Sequence, residues 1–250
     1  MRLITPADDE LYGLASAAGK LGRADRLLAM LEREHLARPG DGEAAGRYAL
    51  AMMAVLPSVN FELAAHAPFT AAIDAWGRVL AIEPDHWFAR YGRARLQTLT
   101  PGGYGLDSAG AADELASARA DLDFLIDLQS GLGYQPYFVS THALATVLDG
   151  LCVESARVGR PSLADELAAC PRVNVRLPAL GAVLCEPLVT LYAGSAERER
   201  HAIGEVAAAL YGDQAAVAAL RRSLLQCWPG RWAGGEAGGT PLIPPQPARR

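Results

Sequence analysis

Apolar side chains recur along this chain at intervals of three and four residues, as in the stretch that contains Leu11, Leu14, Ala15 and Ala18. That spacing places apolar side chains on one face of an α-helix, whereas a half-buried β-strand alternates apolar and polar side chains. Almost no segment of the chain shows the alternating pattern. The sequence therefore predicts an all-α protein.

The first two predicted helices form a hairpin. Asp8 or Asp9 is expected to cap the first helix, and Gly19 and Gly22 are expected to end it, because glycine interrupts a helical pattern. The second helix is predicted from about Arg23 and ends before the sequence RPGD. A helix, a tight turn, a second helix and a proline make up one hairpin unit.

The same order of elements returns further along the chain. Helices are predicted at residues 43–56, 68–82, 86–99 and 109–128, and a fourth pair begins with the sequence PYFVSTHALATVL. We therefore predict helical repeats over residues 1–150, with further helices over residues 151–228 packed on them. Residues 229–250 are rich in glycine and proline and are predicted to be disordered.

This order of elements resembles the tetratricopeptide repeat, a helix hairpin of about 34 residues that stacks into a curved solenoid. In that family a small residue lets the helices approach closely, a bulky residue fills the space between hairpins, and a proline closes the unit. Here Ala72 stands at a small position, Trp76 at the bulky position, and Pro84 closes the unit. Trp76 and Trp87 are therefore expected in the core rather than in a cofactor site.

The resemblance covers roughly residues 8 to 148 and includes several departures. Leu27 replaces a small residue, and Arg93 stands where a leucine is customary, while Phe124 takes the bulky position of the third unit. An unrelated helical bundle is the alternative architecture.

Two stretches exceed the repeat length. Pro39 and Pro84 lie further apart than one period, and the surplus falls at residues 57–67; a similar surplus falls at residues 100–110. Both stretches join the first helix of a hairpin to the second, so in a regular stack they would emerge from the same edge. Long loops of this kind either carry function or are tolerated surface insertions.

The resemblance implies that the first helix of each hairpin lines a concave groove. The positions that face such a groove hold the side chains that we predict to bind a partner, namely Tyr12, Arg47, Phe88, Tyr91 and Arg95. The family's clamp for a peptide carboxylate is not reproduced, because Gly46 and Gly92 occupy two of its places. Aromatic rings beside arginines suit a peptide that carries some acidic groups. The alternative is that these side chains only pack.

The charge and composition of the chain indicate which classes of partner are unfavourable. The formal net charge of −5 argues against broad binding to nucleic acids or membrane surfaces. No apolar run approaches the roughly 18 residues of a membrane span, and the first residues lack the apolar core of a signal peptide. We therefore expect a cytoplasmic protein. Lys20 is the only lysine among 23 lysine and arginine residues, a bias typical of GC-rich bacterial genomes.

No motif predicts a metal, a cofactor or a catalytic centre. The four cysteines Cys152, Cys170, Cys185 and Cys227 are widely separated and are interpreted as small buried residues. Asp123 and Asp127 share a helical face, but no calcium loop or nearby histidine accompanies them, which favours a solvated surface. The histidines show no spacing typical of zinc ligands.

Three functions remain open at this stage. The leading hypothesis is a non-catalytic adaptor that binds a peptide or protein partner in a groove, accessory to a bacterial biosynthetic or regulatory complex. The enzyme alternative is a pocket roofed by the two insertions, with His66, Asp107 or His142 in acid–base roles. The third hypothesis is the sensor half of a transcription regulator.

Overall fold

The structure, a computed structural model, describes residues 2–58, 66–99, 108–130 and 138–151, and also residues 179–188 except 182 and 185. All regular elements in these residues are helical: α1 (Pro6–Lys20), α2 (Ala24–Ala37), α3 (Gly42–Val55), a 3-10 turn (Leu56–Ser58), α4 (His66–Ile82), α5 (Trp87–Leu99), α6 (Ser108–Ser130) and α7 (Phe138–Leu151). The described residues from 180 to 188 are also helical. The all-α prediction is confirmed for this part of the chain. The four cysteines, Asp107, most of both insertions and residues 229–250 lie outside it.

The start of α1 corrects the predicted cap. Thr5 is the N-cap residue and Pro6 occupies the first helical position. The Asp8 carboxylate accepts a hydrogen bond from the Thr5 backbone N–H at 2.8 Å, and Thr5 Oγ1 accepts one from the Asp8 N–H at 3.3 Å. This capping box satisfies two donors at the helix start. Asp9 instead accepts hydrogen bonds from the backbone N–H groups of Ala179 and Leu180.

The end of α1 follows the glycine pattern of the sequence. Gly22 has a φ of +65°, a backbone conformation that favours glycine. The Arg23 N–H donates to the Ala18 carbonyl at 2.8 Å, and the Gly22 N–H donates to the Gly19 carbonyl at 3.0 Å. This pair of bonds closes the helix in a Schellman motif. The predicted turn between α1 and α2 is therefore confirmed.

The chain divides into two compact units, residues 1–131 with 177–180, and residues 132–176 with 181–250. In the first unit α1 contacts α2 and α3, and each later helix contacts the next one in the chain from α2 to α6. In the second unit α7 and the helical residues after 180 contribute buried leucines, among them Leu144, Leu148, Leu184 and Leu188. In the described part of the first unit, helices that follow one another in the chain therefore pack against each other.

The contact between α4 and α5 is apolar and closely fitted. Trp76 on α4 is almost fully buried, and its ring meets Phe88 of α5 edge to face with centroids 5.6 Å apart. A Cβ atom added to Gly92 on α5 would lie 3.0 Å from Trp76 Cε2 and Nε1. Gly92 therefore lets the indole approach the backbone of α5. Trp87 is also fully buried, so the prediction that both tryptophans belong to the core is confirmed.

The contact between α5 and α6 is charged. Asp121 on α6 is 1% exposed and accepts hydrogen bonds from Arg90 at 2.8 Å and from Arg93 at 2.7 and 2.9 Å. Arg90 also donates to the Pro84 carbonyl at 2.7 Å, and its guanidinium lies 3.7 Å from the centre of the Phe124 ring. Phe124 is 38% exposed, so the prediction that it fills a buried position is wrong. Its ring supports Arg90 at the surface.

Candidate functional site

A cavity of about 10 Å³ lies in the first unit where the segment before α1 meets α3, α4 and α5. Its lining residues are Arg2, Leu3, Ile4, Asp8, Gly46, Leu50, Trp76, His86 and Phe88. We call the last five of these residues the groove and residues Arg2–Ile4 the leading segment. The leading segment therefore borders side chains from three different helices or their ends.

The leading segment borders the groove without regular secondary structure. No helix or strand is assigned to residues 2–5, and Thr5, which follows the leading segment, has extended φ and ψ angles of −110° and 163°. The Arg2 carbonyl accepts a hydrogen bond from the Trp87 N–H at 3.3 Å. Trp87 is the first residue of α5, where backbone N–H groups have no partner within the helix. The leading segment thus satisfies a donor that the fold leaves available.

Side chains anchor the leading segment at two points. Ile4 is 9% exposed, so most of its apolar surface is removed from water. The Arg2 guanidinium lies 3.7 Å from the Asp8 carboxylate, and these side chains are 26% and 17% exposed. A partly solvated ion pair of this length contributes at most about 1 kcal/mol, whereas burial of an isoleucine contributes about 1.5–3 kcal/mol. Ile4 is therefore the main anchor.

His86 connects the groove to the start of α5. Its Nδ1 accepts a hydrogen bond from the Ala89 N–H at 3.2 Å, which makes His86 the N-terminal cap of the helix. Burial, and secondarily the nearby charge of Arg2, lower the pKa of His86 from 6.5 to about 4. The ring is therefore neutral at pH 7, and because Nδ1 is an acceptor, Nε2 carries the proton. A Cβ added to Gly46 would lie 3.7 Å from that Nε2.

Trp76 contributes its buried ring to the wall of the groove. Its indole Nε1 is packed against Gly92 of α5 and has no hydrogen-bond partner among the described residues. The groove therefore combines the His86 ring with the apolar side chains of Leu50 and Phe88. This combination suits a backbone with carbonyl groups and an aliphatic side chain. Among the residues described, no group of three histidine, cysteine or acidic side chains is placed to hold a metal ion.

The five predicted binding residues occupy different environments. Phe88 lines the groove and Tyr91 lies next to it in a buried stack, with ring centroids 6.2 Å apart. Arg95 is buried on the same helix, and Tyr12 is half-buried against the core between α1, α2 and α3. Arg47 donates to the Glu34 carboxylate at 3.2 and 3.3 Å. The structure thus brings Phe88 and Tyr91 together and directs Arg47 to α2.

Several residues of the groove and of the leading segment were not among the predicted binding residues. His86 follows a Pro-Asp turn, which is a position where a side chain can cap a helix, so its location was readable from the sequence. Leu3 and Ile4 precede α1, and aliphatic residues just before a helix often pack against its surroundings. The packing of Leu3 and Ile4 against α3 and α5, which come later in the chain, could not be predicted from the sequence.

A second, larger cleft of about 350 Å³ lies near the ends of α1 and α3. It is mostly apolar and is lined by Gly19, Gly22, Ala24, Asp25, Leu28, Met52, Val55, Leu56 and Pro68.

Within the described ranges, no helix has both the length and the apolar character needed to cross a membrane.

Comparison with known proteins finds no family model, no curated protein and no solved structure that matches this chain.

Proposed function

We propose that this chain is a non-catalytic helical-repeat adaptor, similar to tetratricopeptide repeats, that binds an extended peptide of a protein partner in the groove. The observation that supports this proposal is the leading segment, a non-helical stretch that is held at the groove by a hydrogen bond from the Trp87 N–H and by burial of Ile4. A groove that accommodates one non-helical segment has the shape and the donors to accommodate another.

The order of helix contacts supports the repeat architecture. In a stack of hairpins the second helix of one unit packs on the first helix of the next, as α2 does on α3 and α4 on α5. The fit of Trp76 against Gly92 is the close approach that a bulky and a small residue provide in such stacks. The groove residues Gly46, Leu50 and Phe88 lie on first helices, which line the concave face in the family that the chain resembles.

The strength of the leading segment's contacts indicates how large a partner must be. Burial of one isoleucine and one backbone hydrogen bond together contribute about 2–4 kcal/mol. That free energy corresponds to a dissociation constant on the order of millimolar. A partner that binds more tightly must therefore contact more of the surface of α3 and α5 than three residues do.

A substitution in the groove wall tests the proposal. Gly46→Leu adds a side chain whose Cβ meets its nearest neighbour, His86 Nε2, at 3.7 Å. The cavity that remains is only about 10 Å³, so the rest of the leucine should take the place of the leading segment and fill the groove. The wild-type protein is used to recover partners from a lysate of the source organism. The amount of each partner, quantified by mass spectrometry, should be at least tenfold lower with this variant.

The matched control is Gly40→Leu, in the turn before α3, where an added Cβ meets no atom within 4 Å. This variant should retain the partners, and circular dichroism should show the helical content of the wild type in both variants. Equal recovery by wild type and Gly46→Leu would show that the groove is not the binding site.

A further inference from the structure

We propose that the leading segment is a displaceable occupant of the groove, and that the partner peptide replacing it carries the same chemistry, a basic residue followed by two aliphatic residues. This inference rests on the proposed function and adds the chemistry and the regulation of the site. The leading segment then competes with the partner, and the groove opens when Arg2, Leu3 and Ile4 leave it.

The local structure allows the leading segment to leave without unfolding α1. The bonds between Thr5 and Asp8 that cap α1 lie on the helix side of Ile4. Pro6 occupies the first helical position and has a fixed φ suited to it. Release of Arg2, Leu3 and Ile4 therefore keeps both the cap and the helix. The boundary between the displaceable and the fixed part lies between Ile4 and Thr5.

The attachments of the leading segment are those of a weakly held peptide. The Arg2–Asp8 pair spans 3.7 Å with both side chains partly exposed, and the Trp87–Arg2 backbone bond is 3.3 Å long. Both contacts are long for their type and are open to exchange with water or with another peptide. Ile4 supplies the apolar anchor, in the place that an aliphatic side chain of a partner would take.

The charges around the groove select the partner's polarity. Asp8 lines the cavity and pairs with Arg2, so a basic side chain is favoured at that point. Arg47, which was predicted to bind an acidic peptide, instead pairs with Glu34 on α2. While the leading segment is in place, His86 adds no positive charge at neutral pH, because burial and then the charge of Arg2 lower its pKa to about 4. A basic and aliphatic segment therefore fits the groove better than an acidic one.

Binding of a peptide supplied in trans tests the inference. The probe is the peptide Arg-Leu-Ile-Thr-Pro. Because its dissociation constant is expected to be on the order of millimolar, binding is followed by NMR chemical shifts of the 15N-labelled full chain at millimolar probe concentrations. Ile4→Ser removes the apolar anchor of the leading segment and should bind the probe at least tenfold more tightly than the wild type. A second probe, Arg-Leu-Ser-Thr-Pro, should bind neither protein detectably.

The matched control is Leu14→Ser. It also replaces an aliphatic side chain by serine, but on α1 at a side chain that is 60% exposed. It should bind the probe as the wild type does. Arg2→Glu provides a second route, since it places two carboxylates together at Asp8 and leaves Ile4 intact. This variant should also bind the probe more tightly, and it keeps the test valid if Ile4→Ser does not fold.

The outcomes separate this inference from the proposed function. If the Arg-Leu-Ile-Thr-Pro probe binds wild type, Ile4→Ser and Arg2→Glu equally, or binds none of them, the leading segment is not a displaceable occupant. The inference is then wrong, while loss of partners by Gly46→Leu would still support the groove. Tighter probe binding by the two variants, abolished when Gly46→Leu is added, supports both the site and the competition.

Discussion

Two neighbouring helix contacts in this protein are built by different physical means. Between α4 and α5, Trp76 fits against Gly92, and the contact depends on the sizes of the two residues. Between α5 and α6, Asp121 holds Arg90 and Arg93, and the contact depends on charge. The comparison shows that successive helix contacts in one protein can depend on apolar fit in one case and on ion pairing in the next.

Two departures from the tetratricopeptide pattern that the sequence resembles lie at the charged contact. Arg93 stands where that pattern has a leucine, and it donates to the Asp121 carboxylate of the next helix. Phe124 is partly exposed, and Arg90 covers its ring. These two departures belong together, because removing an aliphatic side chain from this joint requires a polar arrangement that satisfies the arginines. The apolar contact carries no such requirement.

The largest expected effect is at the apolar contact. Trp76→Ala removes a buried indole and leaves a cavity beside Phe88 and Gly92, so it should lower the free energy of unfolding by about 3–5 kcal/mol. Urea denaturation of both proteins measures the difference. A loss below about 1 kcal/mol would contradict the role of Trp76 as the side chain that fills this joint.

A substitution on α5 tests the same contact between α4 and α5. Gly92→Ala places a methyl group 3.0 Å from the indole and should also destabilise the protein, by about 1–3 kcal/mol. Gly40→Ala is the control, because an added Cβ there meets no atom within 4 Å. If the two alanine variants were equally stable, the close approach of α4 and α5 would not depend on glycine.

The next effect is at the charged contact. Asp121→Asn keeps the size of the side chain but removes the charge that holds Arg90 and Arg93, and should cost about 2–4 kcal/mol. The estimate is below that for a fully buried pair because both arginines are partly exposed. Asp127→Asn, an exposed position on the same helix, should change stability by less than about 0.5 kcal/mol.

High salt should affect the stability contributions of the two helix contacts differently. Added salt screens the partly exposed arginines, so the difference between Asp121→Asn and wild type should shrink. The difference between Trp76→Ala and wild type should not shrink, since apolar burial is not weakened by screening. Equal salt responses would remove the distinction between the two contacts.

The last effect is absent at neutral pH and concerns a titratable group at the start of α5. Because burial lowers the pKa of His86 from 6.5 to about 4, the unfolded chain binds a proton more readily between these values. Stability should therefore fall as the pH drops from 6.5 towards 4, by up to about 3 kcal/mol from this group, and the loss should level off below that range.

The His86→Asn variant isolates this term, because asparagine can cap a helix but does not titrate in this range. The free energy of unfolding, measured at several pH values, should depend less steeply on pH in the variant than in the wild type. Other groups titrate equally in both proteins, so identical slopes would contradict the assignment to His86.

Local features of the fold could largely be predicted from the sequence. The predicted bounds of α2, α3 and α5 agree with the structure to within about one residue, because apolar periodicity and terminal signals are properties of nearby residues. The cap of α1 was misassigned, since a Thr-Pro start competes with the two acidic residues that follow it. Among the groove residues, only Phe88 was predicted to bind a partner, as Trp76 was assigned to the core.

The sequence by itself determined the helices, the glycine turn after α1 and the burial of Trp76 and Trp87. These follow from side-chain periodicity and from backbone preferences, which act over a few residues. Only the tertiary structure decided that Asp121 meets two arginines, that Arg47 meets Glu34, and that Arg2, Leu3 and Ile4 lie in a groove formed more than forty residues later. Such pairings depend on which helix faces meet, and that choice is made by the packing of the whole unit.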